Sequence, residues 1–425
     1  MRCLILPCVV SLLLLRPLLA DDSVVKQAEQ CREILINSLV DFYLPHSVDK
    51  EFGGYLEVLD ANGNFTGGEK FLTLQARQVW FCSTLARSGI RKEASLAAAK
   101  TGYEFLQLYF RDPENGGYFT KTSQDGTPTD SRKHAYPNAF VIYALVEYHR
   151  AAGDASALAE ALRLFATLEK HCYDSTNGGY REFFYADWQP ITDPSESGYV
   201  GAINTKTYNT HLHLLEAFTQ LLLETNDARV AARLGELIDI NTLTVRHSRL
   251  PCNIDGWSND WTMIRSPKNL RASYGHDVEC SWLVLDAAAA LKRPARVYRS
   301  WATGICDHSI KFGYDQIHGG FYYTGPLGKP SDDTKKEWWT QAEAMVAMLR
   351  LHQLTGESRY KKLFDETFTF VLEHQIAEQG GWWATVNADG TLRDRSVRTS
   401  MWQGAYHNAR ALLMCESMLR KISQD

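Results

Sequence analysis

The sequence predicts an all-α fold, an (α/α)6 barrel of six inner and six outer helices joined by loops with short β-hairpins. Two observations support this prediction. A Gly-Gly-aromatic tripeptide returns at intervals of about 60 residues, and a helical pattern follows every copy. Self-similarity at a fixed period indicates one structural unit used repeatedly. The copies are Gly53-Gly54-Tyr55, Gly116-Gly117-Tyr118, Gly178-Gly179-Tyr180, Gly319-Gly320-Phe321 and Gly380-Gly381-Trp382, with a weaker one, Asp255-Gly256-Trp257, in the one long interval.

The inner helices are predicted from apolar residues that recur at three- and four-residue steps after each loop. An example is the series Leu212, Leu215, Phe218 and Leu222. That spacing places the apolar side chains on one face of a helix. The predicted inner helices span residues 72–87, 139–152, 208–224, 278–291, 341–355 and 408–421.

The outer helices are predicted from a second set of helical patterns with more charge on one side, at 92–109, 156–172, 227–240 and 359–375. Strand-like alternation is brief and confined to the Gly-Gly loops, so a doubly wound α/β fold is disfavoured. An open solenoid needs polar capping repeats at both ends, whereas the first and last helices here are as apolar as the middle ones. A closed ring is therefore expected.

Residues 1–20 are predicted to be a secretory signal peptide, and residues 21–425 a single barrel domain. The leader has a basic residue at Arg2, an apolar stretch over 4–15 and a small residue at Ala20. The apolar stretch is too short to span a bilayer comfortably. We therefore expect a periplasmic or secreted protein that leaves the membrane after cleavage.

Composition restricts the classes of partner. The chain has 45 basic and 50 acidic residues and a net charge of −5, which argues against nucleic acid. The seven cysteines outside the leader have no paired CxxC spacing and fall mostly in helical patterns, so they are expected to be buried and free. We expect a monomer or a weak homodimer.

Polar and aromatic side chains recur at similar distances after the glycine pairs. In a closed ring an equal phase means an equal height, so these side chains are expected to converge at the mouth of the inner ring. An apolar-walled cavity with a few polar groups suits a small molecule, and abundant Trp and Tyr favour a sugar. The side chains concerned are Arg77, Tyr136, Asn138, Asn209, His213, His276, Glu279, Trp339, Glu343, Trp402 and His407.

The three histidines are the candidates for chemistry. His276 and Glu279 are spaced so that the carboxylate could orient the imidazole. Zinc bound by His213, His276, His407 and Glu279 is an alternative, but HExxH is absent and the Trp-rich setting favours an organic ligand. No GxGxxG follows a strand and there is no P-loop lysine, so we predict neither a metal nor a cofactor.

Two imidazoles on opposite sides of a sugar can remove and return a proton beside a carbonyl, because each has a pKa near neutrality. Arg77 could support the developing enediolate. Return to the opposite face gives epimerisation, and return to the neighbouring carbon gives isomerisation. A glycoside hydrolase using Glu279 and Glu343, or a sugar-binding protein without chemistry, are the alternatives from other classes.

Five ordered motifs resemble the N-acylglucosamine 2-epimerase superfamily, and within it the cellobiose 2-epimerases. The resemblance implies an (α/α)6 barrel and cofactor-free epimerisation at C2 of the reducing-end glucose of a β-1,4-disaccharide. The motifs are Gln75-Ala76-Arg77-Gln78-Val79-Trp80, the run from Tyr208 to Ala217, the run from Ser273 to Trp282, Trp338-Trp339-Thr340-Gln341-Ala342-Glu343-Ala344, and the run from Trp402 to Arg410.

The resemblance also implies roles for single residues. His276 and His407 would be the catalytic acid/base pair. Tyr136 and Glu343 are assigned with the substrate-binding group. Arg77, Asn209 and His213 would hold the opened sugar, Glu279 would support ring opening or the His276 network, and Trp339 and Trp402 would stack on the sugar units. The last motif lacks the Lys-x-Pro usual before Tyr-His in cellobiose 2-epimerases. Mannobiose 2-epimerase, N-acylglucosamine 2-epimerase and aldose–ketose isomerase therefore stay as alternatives.

Overall fold

The computed structural model describes residues 22–393 and 398–424; the predicted leader, 1–20, lies outside the described residues. The described helices alternate between an inner and an outer ring. In chain order they are α1 (Asp22–Ile34), α2 (Asp41–His46), α3 (Leu72–Arg87), α4 (Lys92–Phe105), α5 (Ala135–Ala152), α6 (Ala155–His171), α7 (Tyr208–Thr225), α8 (Ala228–Asp239), α9 (Tyr274–Ala290), α10 (Arg299–Gly313), α11 (Trp338–Thr355), α12 (Ser358–Phe370) and α13 (Tyr406–Ile422).

The inner ring consists of α3, α5, α7, α9, α11 and α13, each packed on the next, and α13 closes the ring on α3. The outer helices α4, α6, α8, α10 and α12 each pack on the inner helix before them, while α1 packs on α13. The (α/α)6 barrel predicted from the repeat is confirmed. An inner helix is covered on both sides, so α5 is buried from Ala135 to Tyr148.

Four inner helices begin two to four residues earlier than the apolar pattern predicts. Helix α5 begins at Ala135 and includes Pro137, which is tolerated because a proline in the first turn removes no helical hydrogen bond. Helix α9 begins at Tyr274 and α13 at Tyr406. The added first turns carry polar and aromatic residues without apolar periodicity, which is why the pattern misses them.

Short strands form a belt around one end of the barrel. They are β1 (Val58–Leu59), β2 (Phe65–Gly67), β3 (Lys70–Phe71), β4 (Lys121–Thr122), β5 (Pro128–Asp130), β6 (Lys133–His134), β7 (Phe183–Phe184), β8 (Thr205–Thr207), β9 (Gly256–Ser258), β10 (Arg271–Ser273), β11 (Thr324–Pro326), β12 (Lys336–Glu337) and β13 (Thr385–Val386). The strand before an inner helix pairs antiparallel with the loop of the next unit, as β3 with β4 and β12 with β13. Arg398 N–H donates to Leu59 O at 2.8 Å, which joins the last unit to the first.

Four of the Gly-Gly-aromatic loops are each held by the side chain of the fourth residue of an inner helix. Gln75 binds both N–H and C=O of Tyr55 at 2.8 Å, and Gln341 binds Phe321 in the same way at 2.7 Å. Asn138 and His211 accept from the N–H of Tyr118 and Tyr180. The sequence places Asn138 with the cavity residues, but the structure shows it to be a loop anchor.

A buried lysine also clamps four of the six loops. Lys336 Nζ donates to Asp315 Oδ2 at 2.9 Å, Gly319 O at 2.6 Å and Ala388 O at 2.7 Å. Its aspartate lies four residues before the glycine pair, and its own position is two residues before the helix. The equivalent pairs are Lys70 with Asp49, Lys133 with Asp112 and Lys206 with Asp174. Ala272 and Gly404 occupy the lysine position before α9 and α13.

All seven cysteines of the described residues are buried and free, as predicted. Burial raises the pKa of the Cys82 and Cys306 thiols to about 12, so they stay protonated and pack as apolar side chains. Within residues 22–393 and 398–424, none of the helices is both long and apolar enough to cross a bilayer.

Candidate active site

A cavity of about 450 Å³ lies at the end of the barrel where the inner helices begin. Because six helix N-termini meet there, their partial positive charges favour an anion or a developing negative charge in the cavity. Eight of the ten predicted site residues line it: Arg77, Tyr136, Asn209, His213, His276, Trp339, Trp402 and His407. The structure thus brings these eight side chains to one cavity, and their role in binding or catalysis stays a prediction.

Glu343 orients His407 from the neighbouring inner helix. His407 Nδ1 lies 2.6 Å from Glu343 Oε1 and 3.8 Å from Glu279 Oε1. Burial lowers the pKa of His407 well below its usual value, and the cations of Arg77 and Arg410 act in the same direction. The imidazole is therefore neutral at pH 7. With Nδ1–H directed at a carboxylate, Nε2 carries the lone pair, as a general base requires.

Arg410 lies beneath the cavity and joins three buried carboxylates. Its Nη2 donates to Glu279 Oε1 at 2.8 Å and to Glu343 Oε1 at 2.6 Å, while Nη1 donates to Glu216. Burial opposes the charged guanidinium, but the carboxylates of Glu216 and Glu343 raise the pKa of Arg410. The cluster is thus held by a permanent cation.

Glu279 and Glu343 differ in protonation state. Glu343 has donors on both oxygens, since Trp282 Nε1 donates to its Oε2 at 3.1 Å, whereas Oε2 of Glu279 has no partner among the described residues. Burial and then the neighbouring Glu343 raise the pKa of Glu279 well above its usual value. We assign the ionised form to Glu343 and the protonated form to Glu279.

His276 has a different partner from the one expected. Its Nδ1 lies 2.8 Å from Ser273 Oγ, the residue that caps α9. Glu279, predicted to orient His276, instead contacts Arg410 and His407. Burial lowers the pKa of His276 to about 3. The two side chains do not meet although residues three apart share a face of α9. Glu279 lies fully buried at the level of Arg410, whereas His276 is partly exposed at the mouth of the cavity.

The ring of Trp339 lies beside both histidines. Its centroid is 4.8 Å from that of His276 and 5.6 Å from that of His407. Tyr323 meets Trp339 edge to face at 5.6 Å. An aromatic face between two imidazoles is a suitable platform for a sugar ring.

Arg77 projects from α3 and contacts α5, α13 and the segment that leads into α13. Its Nη2 donates to Tyr136 OH at 2.9 Å and its Nη1 to Trp402 O at 3.1 Å. The guanidinium also lies over the rings of Phe140 and Tyr406, at 4.3 and 4.9 Å from their centroids. No carboxylate neutralises Arg77 among its hydrogen-bond partners in the described part of the chain, so its charge can act on a ligand.

Further cavity residues are identified by the structure and not by the sequence. Tyr199 comes from the insertion before α7 and donates to Asp130 Oδ2 at 2.5 Å. Asp255 accepts from the N–H of Asn209 at 3.1 Å, and burial raises its pKa to about 6. Their contacts cross between repeat units, so the phase of the glycine pairs gives no signal for them.

Glu279 and Glu343 are predicted to touch substrate, but they do not line the cavity; both are fully buried behind His407. With His407 they form a group whose ligand atoms lie within 4.8 Å of one another. Arg410 Nη2 already bonds to one oxygen of each carboxylate, and a cation at that place would repel a metal ion. The donor set fits the guanidinium and does not fit a metal.

A second cavity of about 510 Å³ lies at the opposite end of the barrel. Its charged walls are largely paired within the protein, as Arg350 with Asp286 and Arg150 with Glu224. Glu216 and Arg410 line this second cavity, while His213 and His407 line the first. The carboxylate–arginine layer is thus the partition between the two ends.

A family model described as N-acylglucosamine 2-epimerase matches residues 53–411. The cellobiose 2-epimerase of Bacteroides fragilis is 31% identical over 415 residues, 94% of this chain and 99% of that protein. The N-acylglucosamine 2-epimerase of Bos taurus is 27% identical, over 91% of this chain and 90% of that protein. The solved structure of cellobiose 2-epimerase from Spirochaeta thermophila is 29% identical, covers 96% of this chain and 100% of its own, and superposes with a TM-score of 0.85.

Proposed function

The chain belongs to the N-acylglucosamine 2-epimerase family, and we propose that it interconverts glucose and mannose at the reducing end of β-1,4-disaccharides, with cellobiose as the reference substrate. The observation that supports this proposal is the pair of neutral imidazoles, His276 and His407, beside Trp339 in one cavity that also holds the Arg77 cation. This arrangement supplies two groups that can take up and release a proton and the cation that proton exchange next to a carbonyl requires.

In the proposed reaction the opened sugar presents its C2–H to one imidazole. We assign the base to His407 for the glucose substrate, because Glu343 stabilises the imidazolium that forms when Nε2 takes the proton. The electrons of the C–H bond move to the C1 carbonyl and give an enediolate. Arg77 and the helix N-termini stabilise its negative charge.

His276 takes up a proton from solvent as the negative charge develops beside it and delivers this proton to C2 from the other face, which inverts that carbon, while His407 gives its proton to solvent. In the reverse direction the two histidines exchange roles. Return of the proton to C1 instead would give the ketose, so aldose–ketose isomerisation is the competing outcome in the same cavity. A hydrolase would need two carboxylates that flank a glycosidic bond, whereas Glu279 and Glu343 lie together behind one histidine.

Proton exchange in D2O tests the proposal. The protein is incubated with cellobiose, mannobiose, N-acetylglucosamine, glucose and mannose, and products are identified by NMR. We expect deuterium at C2 and the epimeric disaccharide from cellobiose or mannobiose. Absence of both deuterium exchange and epimer would refute the proposal, while release of a free monosaccharide would support hydrolysis.

His276→Ala and His407→Ala are each expected to abolish exchange in a folded protein. The matched control is His211→Gln, which replaces a buried histidine outside the cavity with the residue that anchors the first and fifth loops. Exchange that survives either alanine variant would refute the role assigned to that histidine.

We also propose that residues 1–20 direct export to the periplasm or the medium and are then removed, and that the mature protein is a monomer or a weak homodimer that acts on its sugar without nucleic acid. The apolar leader supports the export proposal. Intact-mass measurement of protein from fractionated cells tests it, because export predicts a chain that begins near Asp21. Light scattering across a concentration series tests the oligomeric state.

A further inference from the structure

His213 differs from the two histidines assigned to proton exchange, because a carboxylate of its own helix holds it. Its Nδ1 lies 3.0 Å from Glu216 Oε2, one turn further along α7. The rings of Tyr136 and Phe140 pack against the imidazole, with centroids at 5.2 and 4.8 Å. The ring is therefore fixed in orientation.

The bonds of Glu216 define which nitrogen of His213 carries hydrogen. The other oxygen, Oε1, accepts from Arg410 Nη1 and from the hydroxyl of Tyr406. Burial alone would raise the pKa of Glu216, but Arg410 and His213 lower it to about 2. A carboxylate with no proton of its own can only accept, so Nδ1 of His213 must be the donor.

The second nitrogen of His213 is consequently bare. Burial lowers the pKa of His213 to about 4, against the opposing effect of Glu216, so the ring is neutral at pH 7. Nε2 has no hydrogen-bond partner among the described residues, and His213 lines the cavity. A ligand in the cavity therefore faces the lone pair of His213 Nε2.

A bare imidazole nitrogen accepts a hydrogen bond and cannot donate one. It would repel an enediolate oxygen rather than stabilise it, so it cannot share the task of Arg77. A sugar hydroxyl is the complementary group.

We infer that Glu216 is a positioning residue that fixes His213 as a hydrogen-bond acceptor, and that His213 thereby selects a substrate hydroxyl lying away from the developing negative charge. The identity of the ligand as a sugar rests on the proposed function. The tautomer of His213 does not.

The tautomer is tested first by ¹⁵N NMR of histidine-labelled protein, because a bare ring nitrogen resonates far downfield of one that bears hydrogen. His213→Gln identifies the signal by its loss. We expect a protonated Nδ1 and a bare Nε2 in the unmodified protein at pH 7. A protonated Nε2 would overturn the inference, whether or not any disaccharide is turned over.

The carboxylate is tested by Glu216→Gln, whose amide can donate to Nδ1 and so permits the opposite tautomer. We expect the His213 signals to shift toward a protonated Nε2. Tyr406→Phe is the matched control, since it removes a donor from Oε1 of Glu216 without contacting Nδ1; the His213 pattern is expected to stay. An unchanged pattern in Glu216→Gln would overturn the positioning role.

The selection is tested with monodeoxy analogues of the substrate that the D2O experiment identifies. One analogue is expected to lose roughly 10- to 100-fold in kcat/KM, because it leaves the buried acceptor of His213 without a partner. In His213→Ala that same analogue should be used as well as the parent sugar. Equal discrimination in both proteins would overturn the selection, while absence of all turnover with a confirmed tautomer would refute the proposed function alone.

Discussion

His407 Nδ1 and Glu343 Oε1 lie 2.6 Å apart although 64 residues separate them in the chain. They lie on adjacent helices of the inner ring, α13 and α11. The same oxygen accepts from Arg410 at 2.6 Å, so the imidazole and the guanidinium share one carboxylate. The basicity of the His407 Nε2 atom therefore depends on a residue that never touches the cavity.

Glu343→Gln tests that dependence. A hydrogen bond to a charged group is worth about 1.5–3 kcal/mol, so loss of the charge that stabilises the imidazolium should lower kcat by about 10- to 100-fold. KM should change less, because Glu343 does not line the cavity. Initial rates of C2 exchange measure both. Trp282→Phe removes the donor to the other oxygen of Glu343 and should cost far less; equal losses would assign the effect to packing.

His211→Gln tests how buried histidines set the acid stability. Burial lowers the pKa of His211 to about 3, against about 6.5 unfolded. Between these values the unfolded chain binds the extra proton, so the folded state loses stability as pH falls below about 6.5. Relative to the unmodified protein, the glutamine variant should gain about 1.4 kcal/mol in the free energy of unfolding between pH 7.5 and pH 5.5.

Urea unfolding at both pH values provides that measurement. The glutamine is expected to fit because Gln75 and Gln341 occupy the equivalent position in their own units. Each of them accepts from the N–H and donates to the C=O of the aromatic residue in its loop. A parallel loss of stability in both proteins between the two pH values would contradict the role of His211.

Lys336→Met tests the buried clamps. The substitution leaves the Asp315 carboxylate, 3% exposed, without its cation, and breaking a buried pair in this way costs about 3–5 kcal/mol. Lys362→Met removes one partner of the exposed pair with Glu366 and should cost less than about 1 kcal/mol. Denaturant midpoints compare the two, and similar midpoints would show that the clamp contributes little.

Gly117→Ala tests the close approach in the second loop. Gly117 and Gly153 share a left-handed backbone, with φ of +71° and +70°, so alanine strains both by about 1–2 kcal/mol. A Cβ on Gly117 would lie 2.4 Å from the Trp188 ring, whereas nothing lies within 4 Å at Gly153. Gly117→Ala should therefore cost about 1–3 kcal/mol more than Gly153→Ala. Equal unfolding free energies would show that Trp188 moves aside.

The repeat period predicts the fold and the height of the site because both follow from local pattern. A three- to four-residue apolar spacing defines α7 and its neighbours, and a fixed distance from the glycine pair brings His276 and His407 to one cavity. The period cannot say which side of a helix faces the axis. The period therefore groups Asn138 with the cavity residues, although the structure shows that it anchors the loop at Tyr118.

Contacts across the ring are the part that the sequence could not supply. Glu216 and Arg410 are separated by 194 residues and meet only because the ring closes. The three-residue spacing predicts a pair of Glu279 with His276, whereas in the structure Glu279 accepts from Arg410. The motifs do contain a signal for this cluster. Each of the three glutamates, Glu216, Glu279 and Glu343, lies in an otherwise apolar helical stretch, which indicates a buried carboxylate that needs a buried partner.

The lysine clamp also divides the repeat into two kinds of unit. Four units keep it, while the two that lead into α9 and α13 have Ala272 and Gly404 at that position and supply His276 and His407. A loop without the lysine–aspartate pair can change in length or sequence without leaving either of those two charges unpaired, so these two units have more freedom to diverge than the other four. Chimeras that exchange the segments before α9 and α13 between relatives should alter substrate preference on an unchanged scaffold.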